Sequence, residues 1–393
     1  MMPRPAVPKP VTAVASRVRD WRDRRLADPR HSDRVAAILG AALGISFVVC
    51  FLTGLLSHAI QHPPSWFSWT TRPAGLFRIT QGLHVATGIA TIPLLFAKLW
   101  SVFPRLFQWP MATGVLHAVE RLSLLPLVGG SLFLLVTGLA NIELWYPWVF
   151  FFPAGHYAVS FVVMGALLIH IVSKFATTRR VLLRDRRSEP DQEAFAQGRR
   201  RFLGTVGAVS AGAVGVTVGP TVSPLRGLAL LAPRHPDIGV QGFPVNKTAR
   251  EAGVTTTAAD PSFSLTVQAG GAALRVFTLD ELHTMASREA TLPIACVEGW
   301  SANRTWRGIP VRDILKQAGA PAHRSVAVES LQRGGRYRRS ILTSGQIGDA
   351  DTLLAFEVDG EPLHIDHGFP LRLISPARPG VLQTKWVGKL VLQ

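Results

Sequence analysis

The chain divides into a long apolar part and a shorter part with the mixed pattern of a globular domain. In the apolar part, four runs each approach the roughly 20 residues that an α-helix needs to cross the hydrocarbon core of a bilayer. We expect these runs to form an α-helical membrane bundle within residues 35–175. The runs are 35–57, 77–100, 113–140 and 155–174.

Charged residues flank the apolar runs in the pattern of a membrane protein. The formal net charge is +17, and residues 1–34 and 174–201 each carry nine Lys and Arg against four acids. Because basic loops stay on the cytoplasmic side, both segments are predicted to face the cytoplasm. The aromatic loops 58–76 and 141–154 are predicted to face outward. This distribution favours a multi-pass protein of a bacterial cytoplasmic membrane, with the lipid bilayer as a partner, over a nucleic-acid-binding protein.

A cytoplasmic basic loop, 176–202, leads into the sequence RRRFL at 199–203 and then into a mild Gly/Ala-rich run. Two arginines, a variable residue and Phe-Leu before such a run form a twin-arginine export pattern, which would make the twin-arginine export machinery a partner. The alternative is a basic flank on an ordinary fifth span. No convincing Ala-x-Ala cleavage site follows. Residues 203–232 are therefore predicted to remain as a fifth span or export anchor.

From about residue 233 the pattern changes to short strands and turns, as in a mixed α+β domain. Residues 311–318 are predicted to form a short helix, because their apolar positions lie on one side. The topology places this domain, 233–393, on the extracytoplasmic side. The predicted strands are 263–267, 274–278, 325–328, 353–357 and 371–374.

The chain has two cysteines, Cys50 in the first apolar run and Cys296 in the C-terminal domain. A disulfide between them is not expected, which leaves Cys296 as a single thiol in an oxidising compartment. Such a thiol is either a reactive or ligating sulfur or a buried, inert one. Its surroundings favour a ligand, since it opens the segment CVEGWSANRTWRGIPVRDIL at 296–315. A second block, with HGFPLR at 367–372 and KWVG at 385–388, follows about 70 residues later.

These two blocks resemble the sulfite-oxidase family of molybdopterin enzymes over roughly residues 240–393. The first block is most similar to the exported methionine-sulfoxide reductase catalytic subunits of that family. The resemblance implies a molybdenum–molybdopterin cofactor with Cys296 as the molybdenum ligand, a role that suits a soft thiolate. It also implies a phosphate-binding loop around Lys385. The cofactor contacts that it implies are Asn246, Ser330, His367, Arg372 and Lys385.

One departure from the family pattern concerns the substrate. Sulfite oxidases carry an Arg-His pair before the Lys-Trp of the second block, whereas this chain has Leu382 and Gln383. A sulfite dianion would lose a charge-assisted hydrogen bond worth about 1.5–3 kcal/mol. Another arginine could compensate. The candidates for that role are Arg304, Arg307, Arg336, Arg338 and Arg339.

Histidines within membrane spans are costly and are by default functional. Their positions resemble those in diheme b-type cytochromes, with His84 and His156 as the outer pair of heme ligands and His117 and His170 as the inner pair. His156 and His170 are 14 residues apart, which is about 21 Å along one helix face at about 1.5 Å per residue. His58 is an alternative outer ligand. A single heme, or interfacial histidines hydrogen-bonded to lipid or backbone, are the alternatives.

Together these features predict a membrane-bound molybdopterin oxidoreductase that transfers an oxygen atom to or from a small, sulfur-containing substrate. The electrons would pass between the molybdenum site, heme b and the quinone pool or another membrane carrier. Reduction of an S-oxide is favoured by the segment around Cys296. Oxidation of sulfite or a related substrate is the first alternative. A metal-free binding module on a membrane cytochrome, or a cytochrome that only relays electrons to a separate partner, are the others.

Overall fold

The computed structural model describes residues 9–107, 114–183, 193–232, 234–320 and 325–393. They fall into two compact units. The first, here called the helical unit, holds the residues up to Leu52 together with His84–Gly215. The second, the sheet unit, holds Thr53–Leu83 and Val216–Gln393. Of the predicted cytoplasmic segments, residues 1–8 of the tail and 184–192 of the basic loop lie outside the described residues.

Long helices account for the apolar part of the chain. They are α1 Lys9–Leu26, α2 Asp33–Gln61, α3 Leu76–Val102, α4 Val115–Ile142, α5 Phe152–Leu183 and α6 Glu193–Thr217.

Four helices of the described chain are long and apolar enough to cross a membrane, which confirms that the four predicted runs form helices of membrane-spanning length. They are Asp33–Gln61, Leu76–Arg105, His117–Ile142 and Phe152–Leu183. The predicted fifth span falls partly in α6, which is helical but is not among these four. Its polar first half and its Gly and Ser residues lower its hydropathy.

Short helices and strands make up the rest of the sheet unit. The helices are α7 Ala249–Ala252, α8 Thr255–Ala258, α9 Leu279–Thr284, α10 Val311–Gln317 and α11 Ser344–Gly348. The strands are β1 Ser264–Ala269, β2 Ala272–Thr278, β3 Arg288–Ala295, β4 Ser301–Pro310, β5 Ser325–Ser330, β6 Arg339–Thr343, β7 Leu353–Val358, β8 Glu361–Pro362, β9 Arg372–Ile374 and β10 Val387–Leu392.

The five predicted strands and the predicted helix at 311–318 are confirmed. The strands β6, β8 and β10 were not predicted, and neither were β3 and β4. Both contain proline and several charged or polar residues, so neither shows a clean apolar alternation. These two strands nevertheless pair along their whole length, from Arg288 opposite Gly308 to Ala295 opposite Ser301. The family-like segment around Cys296 is therefore the turn and second strand of a β-hairpin.

The strands form two sheets that share one hydrophobic core. The first sheet has the order β2-β1-β10-β5-β6, with β1 parallel to β10 and its other pairs antiparallel. The second has the order β3-β4-β7-β8, and β9 also pairs with β7. Leu265 and Val328 of the first sheet and Ile309 and Leu354 of the second are fully buried in the same cluster. The apolar faces of the two sheets are thus buried against each other, which fixes the loops at their edges.

The segment that connects α2 to α3 is part of the sheet unit. Trp69 donates its indole N–H to the carbonyl of Ala377 at 2.7 Å, and the Ala377 amide donates to the carbonyl of Ala74 at 2.8 Å. Arg72 forms ion pairs with Asp349 at 3.0 Å and Asp351 at 2.5 Å. This loop therefore packs on the same unit that carries Cys296.

Candidate functional site

Cys296 lies in the tight turn between β3 and β4 and is 2% exposed. Its amide donates to the carbonyl of Trp300 at 2.8 Å, which closes the turn. Gly299 has a φ of +82°, a conformation that L side chains rarely adopt, so glycine suits this position. The hairpin thus holds the sulfur in one place on a rigid element.

Asn246 contacts that sulfur directly. Its side-chain amide Nδ2 donates to Cys296 Sγ at 2.8 Å, and its carbonyl Oδ1 accepts from Trp300 Nε1 at 3.3 Å. Arg234 Nη1 donates to the same Oδ1 at 3.1 Å and lies 3.7 Å from a carboxylate oxygen of Glu298. Cys296, the predicted molybdenum ligand, and Asn246, a predicted cofactor contact, therefore lie next to each other. Arg234, which was not predicted, contacts Asn246 and Glu298.

Burial determines the ionisation of this group. It raises the pKa of the Cys296 thiol well above its usual range, with the Glu298 carboxyl as a second contribution. Burial also raises the pKa of Glu298 to about 7, against the opposing effect of Arg234. Without a cation at the sulfur the thiol stays protonated, whereas a bound metal ion would favour the thiolate. The chemistry of this position fits a metal ligand.

His367 and Arg372, the first and last residues of the HGFPLR segment in the second motif block, contact each other. Arg372 is 5% exposed and donates from Nη1 to the carbonyl of His367 at 2.9 Å. His367 bonds the carbonyl of Val240 through Nε2 at 2.6 Å and stacks on Phe243 with ring centroids 3.7 Å apart. Burial, with Arg372 as a second cause, lowers the pKa of His367 to about 3, so its ring is neutral at physiological pH.

Lys385 and Ser330 adjoin that pair. Lys385 Nζ donates to the carbonyls of Lys247 at 2.5 Å and Asp366 at 2.8 Å, and Ser330 Oγ donates to the carbonyl of Lys385 at 2.8 Å. Gly368 has a φ of +115°, and a Cβ there would lie 3.2 Å from side-chain atoms of Arg372 and Lys385. The glycine therefore allows these two basic side chains to approach the backbone closely.

The basic groups of this site are adapted to an anionic ligand. Burial lowers the pKa of Arg372 to about 9 and that of Lys385 to about 7, because it disfavours their charged forms. In addition, the buried Nε of Arg372 has no hydrogen-bond partner among the described residues. An anion with oxygen acceptors would satisfy that donor and stabilise both charges. These residues fit a pterin cofactor that ends in a phosphate.

The positions that differ from sulfite oxidases are occupied by internal contacts. Gln383 is 2% exposed and donates to the carbonyl of Arg378 at 3.2 Å. Arg378 is 4% exposed and donates to the Leu382 carbonyl at 3.0 Å, to Gln346 Oε1 at 2.9 Å and to the Ile341 carbonyl at 2.9 Å. This arginine is thus engaged by neutral acceptors within the protein, and it does not replace the missing arginine.

Two further residues near Cys296 were not predicted. Gln81, in α3, is 7% exposed and donates to the carbonyl of Val297 at 3.3 Å. Tyr337 donates to Gln61 Oε1 at 3.4 Å, and burial raises its pKa. Gln81 could have been singled out from the sequence, because it is a polar residue within a predicted membrane span. Nothing local in the sequence distinguished Tyr337, because its contact is 276 residues away along the chain.

In the helical unit, His84 and His156 have ring centroids 6.4 Å apart. Two imidazoles that ligate one metal from opposite sides, through bonds of about 2.0–2.1 Å, have ring centres about 6 Å apart. His84 Nδ1 lies 2.9 Å from the Cys50 carbonyl, and His156 Nδ1 lies 3.3 Å from Thr137 Oγ1. In metal-ligating histidines, the ring nitrogen that does not bind the metal is typically hydrogen-bonded to a carbonyl or another oxygen acceptor. The pair fits an axial ligand set.

The other predicted histidines have different surroundings. His117 lies in α4 and His170 in α5, and the buried Nδ1 of His170 has no hydrogen-bond partner among the described residues. His58 lies beside His62, with ring centroids 4.9 Å apart, and belongs to the sheet unit. Cys50 and Cys296, both among the described residues, form no disulfide, as predicted.

Comparison with known proteins adds independent information about this chain. A family model described as "Oxidoreductase molybdopterin binding domain" matches residues 252–393. Mitochondrial sulfite oxidase of Mus musculus is 31% identical over 152 residues, covering 32% of this chain and 27% of that protein. The inducible NADH nitrate reductase 2 of Glycine max is 31% identical over 146 residues, covering 30% of this chain and 16% of that protein.

A relative from Azospira oryzae carries the provisional name protein-methionine-sulfoxide reductase subunit YedZ1. It is 30% identical over 164 residues, covering 41% of this chain and 60% of that protein. The matched part of the chain thus spans less than two thirds of each of these three relatives.

The segment that the family model matches, residues 252–393, contains Cys296, His367, Arg372 and Lys385. Residues 252–393 are therefore a molybdopterin-binding oxidoreductase domain of the sulfite-oxidase type. The chain thus resembles parts of a sulfite oxidase and a nitrate reductase, and a YedZ1 subunit is also among its homologues.

Proposed function

We propose that this chain is a membrane-bound molybdopterin oxidoreductase that exchanges an oxygen atom with a small, sulfur-containing substrate. The observation that carries the proposal is the buried Cys296, whose sulfur accepts a hydrogen bond from Asn246 in a domain of molybdopterin-binding type. The bound molybdenum cofactor supplies the oxygen-atom transfer and the accompanying two-electron change. The residues of the chain hold and orient the cofactor and exclude water from its ligand.

Each residue of the site has a separate role in this proposal. Cys296 is the molybdenum ligand, and its position in a closed hairpin turn keeps the sulfur away from solvent. Arg372 donates to anionic oxygens of the pterin part of the cofactor, with His367 as a neutral neighbour. Lys385 binds the terminal phosphate in the loop beside Ser330. Asn246 contacts both the ligand sulfur and the cofactor.

An S-oxide is the substrate class that this site supports best, and the proposed direction is its reduction. Leu382 and Gln383 stand where sulfite oxidases have a cationic pair, and the buried Arg378 donates to neutral groups of the protein instead. A neutral S-oxide needs no such cation, whereas a sulfite dianion would lack the charge-assisted partner that this pair supplies.

We further propose heme b in the helical unit as the electron-transfer group. The ring spacing of His84 and His156 and the hydrogen bonds on their Nδ1 atoms support this pair as axial ligands of an outer heme. His117 and His170 are proposed as the inner pair. His58, predicted as the alternative outer ligand, belongs to the sheet unit and is not part of this proposed site. A quinone, or another one-electron membrane carrier, would supply the electrons for reduction of the substrate.

The proposed location is a bacterial cytoplasmic membrane, with residues 233–393 on the extracytoplasmic side. Basic residues at both predicted cytoplasmic segments support this orientation. The sequence RRRFL at 199–203 supports delivery by the twin-arginine export machinery, which transports folded proteins, and residues 203–232 would then remain as a fifth span.

The metal and heme content of the detergent-purified, full-length protein tests this function. We expect about one molybdenum and one or two hemes in the wild type. Cys296→Ala should lose or alter the molybdenum and keep its heme, whereas the matched control Cys50→Ala should keep both. Heme without molybdenum in the wild type would contradict the enzyme proposal and leave a cytochrome with a binding module. Turnover of sulfite but not of S-oxides would reverse the proposed direction.

A further inference from the structure

The side-chain amide of Asn246 is oriented by two donors. Its Oδ1 accepts from Arg234 Nη1 at 3.1 Å and from Trp300 Nε1 at 3.3 Å. Arginine and tryptophan side chains can only donate, so only the oxygen end of the amide can face them. The NH₂ end therefore points to Cys296 Sγ, 2.8 Å from Asn246 Nδ2.

Arg234 is itself held in place. One of its guanidinium nitrogens lies 3.7 Å from Glu298, and the exposed fractions of the two side chains are 22% and 13%. Glu298 belongs to the same hairpin turn as Cys296. Arg234 therefore contacts two residues, Asn246 and Glu298, that both lie close to the sulfur. Without this arginine, only the longer hydrogen bond from Trp300 would hold the Oδ1 end, so Asn246 would rotate more readily and present its oxygen to the sulfur; an attractive contact would then be replaced by a repulsive one.

We propose that Arg234 is a positioning residue, which acts through Asn246 to keep an N–H group on the sulfur of the molybdenum ligand. This inference rests on the proposed function, because it takes Cys296 as that ligand. An N–H···S hydrogen bond withdraws electron density from a ligating thiolate and raises the reduction potential of the metal. A higher potential favours the reduced metal and so affects the electron transfer that the proposed reaction requires.

Arg234 lies outside residues 252–393, in the linker that follows α6. The chain thus adds this residue to the domain from a segment that the family model does not match. The linker therefore has a function beyond connecting two units: it completes the surroundings of the ligand.

The test is an electron paramagnetic resonance titration of the molybdenum midpoint potential in the full-length, detergent-purified protein. In Arg234→Gln we expect about a tenfold smaller equilibrium constant for one-electron reduction, which is a midpoint potential lower by about 59 mV. Arg226→Gln is the matched control. Arg226 belongs to the same linker, pairs with Asp237 at 3.2 Å and lies 3.5 Å from the Ser301 carbonyl, but its hydrogen bonds among the described residues do not include Asn246, so its removal should leave the potential unchanged.

Trp300→Phe separates amide orientation from charge. It removes the second donor to Asn246 Oδ1 without changing any charge, so we expect a shift in the same direction as in Arg234→Gln. In an Asn246→Ala background, Arg234→Gln should cause no further shift, because its effect passes through the amide. If Arg234→Gln itself fails to retain molybdenum, Trp300→Phe provides the deciding potential.

The outcomes distinguish this inference from the proposed function. If the wild type contains molybdenum and both Arg234→Gln and Trp300→Phe have the wild-type midpoint potential, the inference is overturned and the proposed function is left intact. An equally large shift on adding Arg234→Gln to Asn246→Ala would show an effect of charge and would also overturn it. A wild type without molybdenum would remove both proposals.

Discussion

Two buried arginines of the sheet unit provide a matched pair for a stability test. Arg372 is 5% exposed and Arg378 is 4% exposed, and burial lowers the pKa of each to about 9. Arg372 has one hydrogen bond, to the His367 carbonyl, and a buried Nε without a partner among the described residues. Arg378 donates three hydrogen bonds to neutral acceptors. The two arginines are therefore equally buried, but the charge of Arg378 is stabilised by three hydrogen bonds and that of Arg372 by one.

The structure predicts different effects for the substitutions Arg372→Met and Arg378→Met in the cofactor-free protein. Lowering the pKa of Arg372 from 12.5 to about 9 corresponds to a burial cost on the order of 5 kcal/mol, at about 1.4 kcal/mol per pKa unit. Replacing a poorly compensated buried charge by an apolar side chain of similar size stabilises a protein by about 1–4 kcal/mol. We expect a gain of this size for Arg372→Met. Arg378→Met loses two more hydrogen bonds, so it should be less stable than Arg372→Met by about 2–6 kcal/mol.

Thiol labelling of Cys296 measures this difference. The sulfur is buried, so a maleimide reacts only after local opening, and a Cys50→Ser background restricts the reaction to one site. The full-length protein would be purified from a host that makes no molybdopterin. For a gain of about 1–4 kcal/mol we expect labelling of Arg372→Met to slow by about 5-fold to about 900-fold, and labelling of Arg378→Met to be clearly faster than that of Arg372→Met.

The same two variants in a host that makes the cofactor complete the test. Arg372→Met should lose most of its molybdenum although its cofactor-free form is more stable. If Arg372→Met is labelled as fast as Arg378→Met, the charge of Arg372 is compensated without a ligand, and the argument from its unpartnered Nε fails. Full molybdenum content in Arg372→Met would refute its proposed role in binding the cofactor.

Three further predictions concern pH, the outer loop and the heme. The pKa of His367 is lowered from 6.5 to about 3, so this residue contributes a loss of about 2 kcal/mol in unfolding free energy between pH 8 and pH 5; the difference in that free energy between the wild type and His367→Gln, measured by urea unfolding, should therefore shrink by this amount as the pH falls. Asp351→Asn weakens ion pairs with both Arg72 and Arg288, whose side chains are about half exposed, so we expect a loss below about 2 kcal/mol and faster proteolysis of the segment that connects α2 to α3, without loss of molybdenum. If His84 and His156 ligate one heme, alanine substitution of either should remove the same absorbance band, and the double variant should lose no more heme than each single one.

Local patterns were sufficient to predict much of this protein. Four apolar runs predicted the four membrane-length helices, because a span of that length and hydropathy is a property of contiguous residues. The motif blocks around Cys296 and His367 predicted the molybdopterin-binding domain for a similar reason. Each block is a short stretch whose residue types and spacing are required by one hairpin or one turn.

The arrangement of the site depends instead on contacts between residues that are distant in the sequence. Asn246 and Cys296 meet across 50 residues, and Lys385 reaches the carbonyl of Lys247 across 138. The strands β3 and β4 escaped prediction because their stability comes from pairing with each other and with β7, rather than from a regular apolar alternation.

The sequence by itself determined the two parts of this protein, its four apolar helices and the identity of its central thiol. Only the tertiary structure decided which side chains surround that thiol. Arg234 carries no local signal, since a single arginine in a linker reads as a solvated charge. Its proposed role depends on its position, because its guanidinium can only donate hydrogen bonds and lies 3.1 Å from Asn246 Oδ1. The other end of that amide donates to the sulfur of Cys296.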